Sequence, residues 1–472
     1  MREPRAVIVA FGAALAACCL APATGFAHGL VGRADLPVPE WLFGWAAAVV
    51  LVASFVALAV LWPEPRLEQA PRRRLMALPR WLDPIFGALG LAAFAAVVYS
   101  GLAGTQTPTA NLAPTAIYVH FWVGIAVCSA LFGNVFAVLS PWRAVARAGR
   151  WLAGRRGRRG GSEPLPYPPT LGRWPAAVGL LAFAWVELAW SGGDDPATLA
   201  ILALAYAAIQ LLGMSLYGIE PWSQRGDSFG VYFGLLARLS PLQHRDGALW
   251  LRPPLSGLSS VEVVPGTLAL LLVAIGSTAF DGLGEGALWS SISPGLQDFF
   301  KGLGVGAGTA LEFGFTVGLL ASVAVVAAFY RLGIAGMHSV GGSLRAAELA
   351  RRFAITLVPI AFAYVLAHYF SLLAYEGQAL AYLASDPLGN GSDLLGTAGQ
   401  QIDYGWISAT GIWYVQVGAL VAGHVGALVV AHDRALAIWP RAREATRSQY
   451  FMLVVMLGFT SLGLWLLSAA NA

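Results

Sequence analysis

The chain has 472 residues, 57% of them hydrophobic and 11% charged, with a formal net charge of +4 and a mean hydropathy of +0.66. So little charge cannot coat a soluble globule, in which roughly a quarter of residues are charged. A soluble enzyme, a disordered chain, a coiled coil and a collagen are excluded, which leaves an all-α, polytopic membrane protein.

The basic residues are arginines apart from Lys301 and fall in short loops between apolar runs. Orientation in a bilayer accounts for that placement, and a nucleic-acid partner does not. Cys18, Cys19 and Cys128 make neither a disulfide framework nor a CxxC metal site.

Two arginines, an apolar stretch from Ala6 to Leu20 and small residues at Gly25 and Ala27 read as a signal peptide over residues 1–27. Cleavage after Ala27 makes His28 the first mature residue. Leu15-Ala16-Ala17-Cys18 offers a competing lipoprotein box that would lipidate Cys18. An uncleaved helix ranks last, because the run is shorter than the ~20 residues a span needs.

Residues 28–472 read as one transmembrane domain. Apolar runs predict ten helices, at 41–62, 82–102, 115–139, 174–190, 197–219, 263–280, 309–330, 353–373, 407–430 and 450–468. With the mature N-terminus outside, five loops carry 25 arginines inside, and only Arg33 and Lys301 lie outside. A cell inner (plasma) membrane with that orientation is the expected location.

Two outer loops, 281–308 and 374–406, are long and mix glycine with acidic and aromatic residues; long loops concentrate function. Tyr404 and Trp406 suit an interface anchor. The stretch 229–239 is apolar but too short to cross, so it predicts an interfacial helix. Ser140-Pro141-Trp142-Arg143 and Glu220-Pro221-Trp222 echo each other, each reading as a proline stop with an interface tryptophan. The glycine runs at 302–308 and 333–342 read as loops flanking the seventh span, and Asn390-Gly391-Ser392 as a turn. P-loop, GxGxxG, HExxH and GxSxG motifs are absent where their chemistry would need them.

Ionisable groups inside apolar runs need a partner or a function, since a charge at mid-membrane is costly. His120, Glu187, Glu312 and His368 fall three to five residues below the outer surface on four helices. Asp403 and Glu376 lie above them, His424 lies deeper, and His432 is near the inner end of the same helix. Each His alone is compatible with an interhelical hydrogen bond, and Glu312 with a helix start. Taken together, His28, His120, His368 and His424 are the candidate ligands of a divalent metal, Zn or Cu. Glu187, Glu312 and Asp403 are the candidate catalytic carboxylates. A free N-terminal His28 would chelate Cu through its amine and ring.

Several stretches carry a family resemblance. They are His28-Gly29-Leu30-Val31-Gly32-Arg33, Leu36-Pro37-Val38-Pro39-Glu40-Trp41, the run 140–143, Leu251-Arg252-Pro253-Pro254-Leu255, Gly423-His424-Val425-Gly426 and Ala431-His432-Asp433-Arg434. Together they resemble bacterial, often actinobacterial, multi-pass proteins labelled fenitrothion hydrolase. The resemblance implies hydrolysis of an organophosphate triester by a membrane protein, without assigning any residue a role; a metal held by His120, His368 and carboxylates near the outer face would assist it on a hydrophobic substrate. Two alternatives stand beside it. One is a transporter or permease for a small solute or metal ion, which buried ionisable groups and Gly/Pro-interrupted spans suit. The other is a haem- or copper-binding membrane protein with His368 and His424 as ligands. The expected partners are the bilayer and a hydrophobic small molecule or metal ion.

Overall fold

A computed structural model describes residues 40–155, 163–341 and 344–470. The expected signal peptide, His28 and the cysteines at 18 and 19 lie outside the described residues.

The chain folds as an all-α polytopic bundle. In order, its helices are α1 (Glu40–Leu61), α2 (Leu82–Ala103), α3 (Leu112–Phe132), α4 (Val135–Leu139), α5 (Pro141–Arg155), α6 (Trp174–Leu188), α7 (Pro196–Tyr217), α8 (Ile219–Arg225) and α9 (Ser228–Leu236). Then come α10 (Thr267–Gly284), α11 (Ala287–Gly302), α12 (Ala307–Ser339), α13 (Ala346–Phe353), α14 (Leu357–Tyr375), α15 (Leu380–Ser385), α16 (Ala409–Ile438), α17 (Ala442–Ser448) and α18 (Tyr450–Ala470). Among the described residues, nine helical segments are long and apolar enough to cross a membrane.

The fourth apolar run is the one that falls short. It forms α6, with 15 residues and about 22 Å of rise, against a hydrocarbon core of about 30 Å. It nevertheless joins both ends of the bundle. Just before it, Arg173 donates to the Glu262 carbonyl at 3.0 Å. Just after it, the Tyr118 hydroxyl donates to the Gly193 carbonyl at 2.5 Å.

Caps set several boundaries. Asp195 accepts from the Thr198 amide at 2.9 Å with Pro196 opening α7, and Ser408 accepts from the Gly411 amide at 3.1 Å at the start of α16. The third run, expected unbroken to residue 139, stops at Phe132. Gly133 takes φ +89°, where a Cβ would come within 2.8 Å of the Leu242 carbonyl oxygen, and Asn134 then caps α4.

Three sequence expectations are corrected. The stretch 229–239 is not interfacial: α9 is apolar all round and sits in the core, with Tyr232, Phe233 and Leu236 fully buried. Phe229 lies 4.6 Å from Phe121 between ring centroids, and Phe233 lies 5.4 Å from Phe136. The run 333–342 is largely helix rather than loop, because α12 continues to Ser339. Its Gly333 and Gly336 leave room for Met452 and Phe451 of α18, which a Cβ would approach to 2.6 and 2.1 Å. The stretch 281–308 contains α11, which exposes Leu288, Ile292 and Phe299.

One end of the bundle gathers the arginine-rich loops, and they are tied together. Strands β1 (Arg73–Ala77), β2 (Leu242–Arg245) and β3 (Ala248–Leu251) form an antiparallel sheet in the order β1-β3-β2, with Arg73 opposite Leu251 and Leu242 opposite Leu251. Arg143 and Glu220 pair at 2.6 Å. The two echoing motifs thus meet in space, and Trp142 and Trp222 are buried rather than at an interface. Trp142 donates to Asp227 at 2.6 Å and Trp222 to Gln210 at 2.8 Å.

Candidate functional site

The polar groups under the opposite end converge on a residue that the sequence assigned to a loop. Asp281 lies in the last turn of α10, because the helix continues to Gly284 instead of ending at Phe280. Its Oδ2 meets Nε2 of His368, on α14, at 2.9 Å. The two side chains are 20% and 22% exposed, so the pair is recessed.

Tyr369 and Glu187 adjoin it, and Tyr118 adjoins Glu187. The Tyr369 hydroxyl, on the same helix as His368, faces the Asp281 carboxyl, and the Tyr369 ring sits 4.7 Å from the His368 ring. Glu187, at the end of the short α6, interacts electrostatically with Asp281 and with Tyr118. Tyr118 belongs to the stretch Thr115–Gly124 of α3, which is wound as a π-helix. A π-turn widens the helix and re-aims its side chains, and such turns recur at functional sites. Here the widened segment brings Tyr118 toward the turn after α6 and Trp122 against Tyr232, stacked at 5.3 Å.

Of the described residues singled out from sequence, Glu187 and His368 belong to this cluster and the others do not. His120 turns its two ring nitrogens to carbonyl oxygens, Gly377 at 3.0 Å and Thr115 at 3.3 Å. Glu312 lies at the surface, accepting from the Ser191 hydroxyl at 2.5 Å and its amide at 3.2 Å. Asp403 closes a local turn onto the Gly405 amide at 2.8 Å. Glu376 meets the Tyr404 hydroxyl at 3.4 Å.

His424 is fully buried in α16. Its Nδ1 bonds the Leu420 carbonyl at 2.8 Å, while Nε2 has no hydrogen-bond partner. The Tyr364 and Phe459 rings each lie 6.3 Å away. Tyr364 stands one helical turn before His368 on α14, so His424 lies deeper along the same helix pair.

No group of three or more His, Cys, Asp or Glu able to hold a metal occurs among the described residues. His120, His368 and His424 therefore do not come together as the expected Zn or Cu centre. The physical reason is that shared depth does not imply a shared face, and each imidazole already has a neighbour of its own.

The stretch Ala431-His432-Asp433-Arg434 is structural. Asp433 Oδ1 accepts from the Trp62 indole at 3.1 Å and from the Arg66 and Leu67 amides at 2.5 and 3.1 Å. His432 Nε2 donates to the Trp62 carbonyl at 3.0 Å and Nδ1 accepts from Gln449 at 3.2 Å. Arg434 pairs with Glu68 at 2.9 Å. These bonds fasten the first arginine-rich loop to α16.

Sequence reasoning missed Asp281, Tyr369 and Tyr118. A signal for Asp281 exists: Asp281-Gly282-Leu283-Gly284 extends the apolar run by one turn, and an acidic residue there reads as a span end only if length is ignored. The chain matches no protein-family model, no curated protein and no solved structure.

Proposed function

We propose that this chain is a multi-pass permease of the cell inner membrane that couples movement of a small solute to protons at the Asp281–His368 pair. The observation that carries the reading is that pair: a carboxylate and an imidazole on two helices, 2.9 Å apart and only about a fifth exposed. Histidine is the side chain whose ordinary titration falls between pH 5 and 8. With His368 protonated the pair is neutral overall; with it deprotonated the pair carries one negative charge. A neutral pair lowers the cost of carrying the site through a dry conformation, and a charged pair raises it. Glu187 lies close enough to exchange charge influence with Asp281. The unpartnered Nε2 of His424 offers a second acceptor further in along the same helices.

The positive-inside rule supports placing the arginine-rich end in the cytoplasm, with the mature N-terminus and the Asp281 cluster on the outer side. The short α6 supports a locally thin barrier between that cluster and the cytoplasmic loops. The test is a current measurement on proteoliposomes adsorbed to a solid-supported membrane, challenged in turn with Zn²⁺, Cu²⁺ and hydrophobic organic solutes under a pH gradient. The reading predicts a solute-dependent current that requires the gradient and falls about tenfold or more in Asp281→Asn. Solute currents indifferent to pH, or unchanged in that variant, would overturn it.

A second reading keeps the chemistry of the fenitrothion hydrolase resemblance. An imidazole oriented by a carboxylate is the arrangement of a general base. His368 would take a proton from water as its oxygen bonds phosphorus, and the P–O bond to the aryloxide would break. Release of nitrophenolate from an aryl phosphotriester by purified protein, lost in His368→Ala, supports this reading over the first.

A further inference from the structure

We infer that the cavity between α5 and α8 is a headgroup site for an anionic phospholipid. The cavity measures about 360 Å³ and is lined by Arg147, Arg150, Trp151, Ile219 and Glu220. Its one acid is already engaged: Glu220 Oε1 accepts from Arg143 at 2.6 Å and from Arg147 at 3.4 Å. Arg150 has no acidic partner among the described residues. The lining therefore carries a surplus of positive charge beside an indole and an isoleucine, which suits a phosphate joined to an apolar body.

The surroundings favour a lipid over a free phosphate. Val145, Ala148 and Leu152 form an exposed apolar stripe on α5, and Trp151 beside it is also exposed. An amphipathic helix of this kind lies in the plane of the membrane surface. The residue before Gly218 ends α7, whose Ile209, Leu212 and Leu216 are 56%, 59% and 41% exposed along one face. Their i, i+3, i+7 spacing makes a continuous lane leading away from Ile219 toward the bilayer. A diacyl lipid would place its phosphate between Arg147 and Arg150 and its chains along that lane. Arg155 stacks on Trp151 at 4.0 Å and adds charge at the rim.

The experiment uses the full chain in neutral detergent, titrated with mixed micelles of palmitoyl-oleoyl phosphatidylglycerol or of the matching phosphatidylcholine. Thermal stability and native mass spectra report binding. Phosphatidylglycerol is expected to bind about tenfold or more tightly than phosphatidylcholine and to weaken as salt rises. Arg150→Gln, which breaks no internal ion pair, is expected to abolish the preference while leaving the lipid-free Tm unchanged. Equal binding of the two lipids would overturn the assignment, as would a full preference retained in Arg150→Gln. Inorganic phosphate or glycerophosphoglycerol matching the whole lipid would also overturn it, because the ligand would then be a soluble phosphate. The inference does not depend on what the Asp281 cluster does.

Discussion

His368 and Asp281 are 87 residues apart in the chain and 2.9 Å apart in space. Neither α10 nor α14 alone has a use for an ionisable group at that level, so the pair exists because the two helices pack there. The helices meet at Gly282, where a Cβ would rest in ordinary contact, 3.5 Å from the His368 ring. Groups that act as a unit lose activity non-additively. Asp281→Asn and His368→Ala are each expected to cut the pH-driven solute current by about tenfold or more, and the double variant to lose no more than the worse single. Losses that multiply would show the two residues acting separately.

Asp433 is 3% exposed and its Oδ1 takes three donors from the loop after α1. Asp433→Ala strands those donors in a dry site at a cost of about 3 kcal/mol. Asp433→Asn keeps an acceptor oxygen and is expected to cost about half as much. Scanning fluorimetry in detergent reads both, and a Tm unchanged in the alanine variant would rule out this fastening.

Packing of α14 on α16 makes a sharper test. A Cβ on Gly423 would stand 2.2 Å from the Ala363 Cβ and 2.8 Å from the Pro359 carbonyl oxygen. Backbone cannot yield as a flexible side chain can, so Gly423→Ala should destabilise by about 1–3 kcal/mol. Gly418 on the same helix has nothing within 4 Å. Gly418→Ala is expected to stabilise by up to about 1 kcal/mol through helix propensity. Equal Tm values for the two variants would contradict the observed helix contact.

The loop after α15 carries its own pH dependence. Hydrogen bonds from the Ser385 hydroxyl at 2.5 Å and the Ala398 amide at 3.0 Å hold Asp393 below the usual carboxylate range. A carboxyl depressed on folding contributes stability that is present above its unfolded pKa, about 3.9, and is lost as pH falls through the folded value. Hydrogen exchange across 385–398 is expected to stay slow at neutral pH and to accelerate below about pH 4 relative to its intrinsic rate. Asp386, held down by the Ser392 hydroxyl and the Gly391 and Asn390 amides, titrates in the same segment. Asp393→Asn should therefore shrink the acid step, and the double Asp386→Asn, Asp393→Asn variant should remove it; a step unchanged in the single variant would assign it elsewhere.

The sequence by itself determined that this chain is a helical membrane bundle, because apolar run length and loop arginines act locally and add along the chain. It also picked out Glu187 and His368, since a charge in an apolar run is conspicuous without any knowledge of neighbours. It did not separate them from His120, Glu312 and Asp403, whose partners are backbone carbonyls, a serine and a local turn. Only the tertiary structure decided that α9 is core, that Trp142 and Trp222 face inward, and that Asp281 and not a ring of histidines stands at the centre. Those outcomes depend on which helices adjoin and which faces they turn to each other, and in lipid, where apolar surface is welcome everywhere, hydrophobic pattern does not specify that choice.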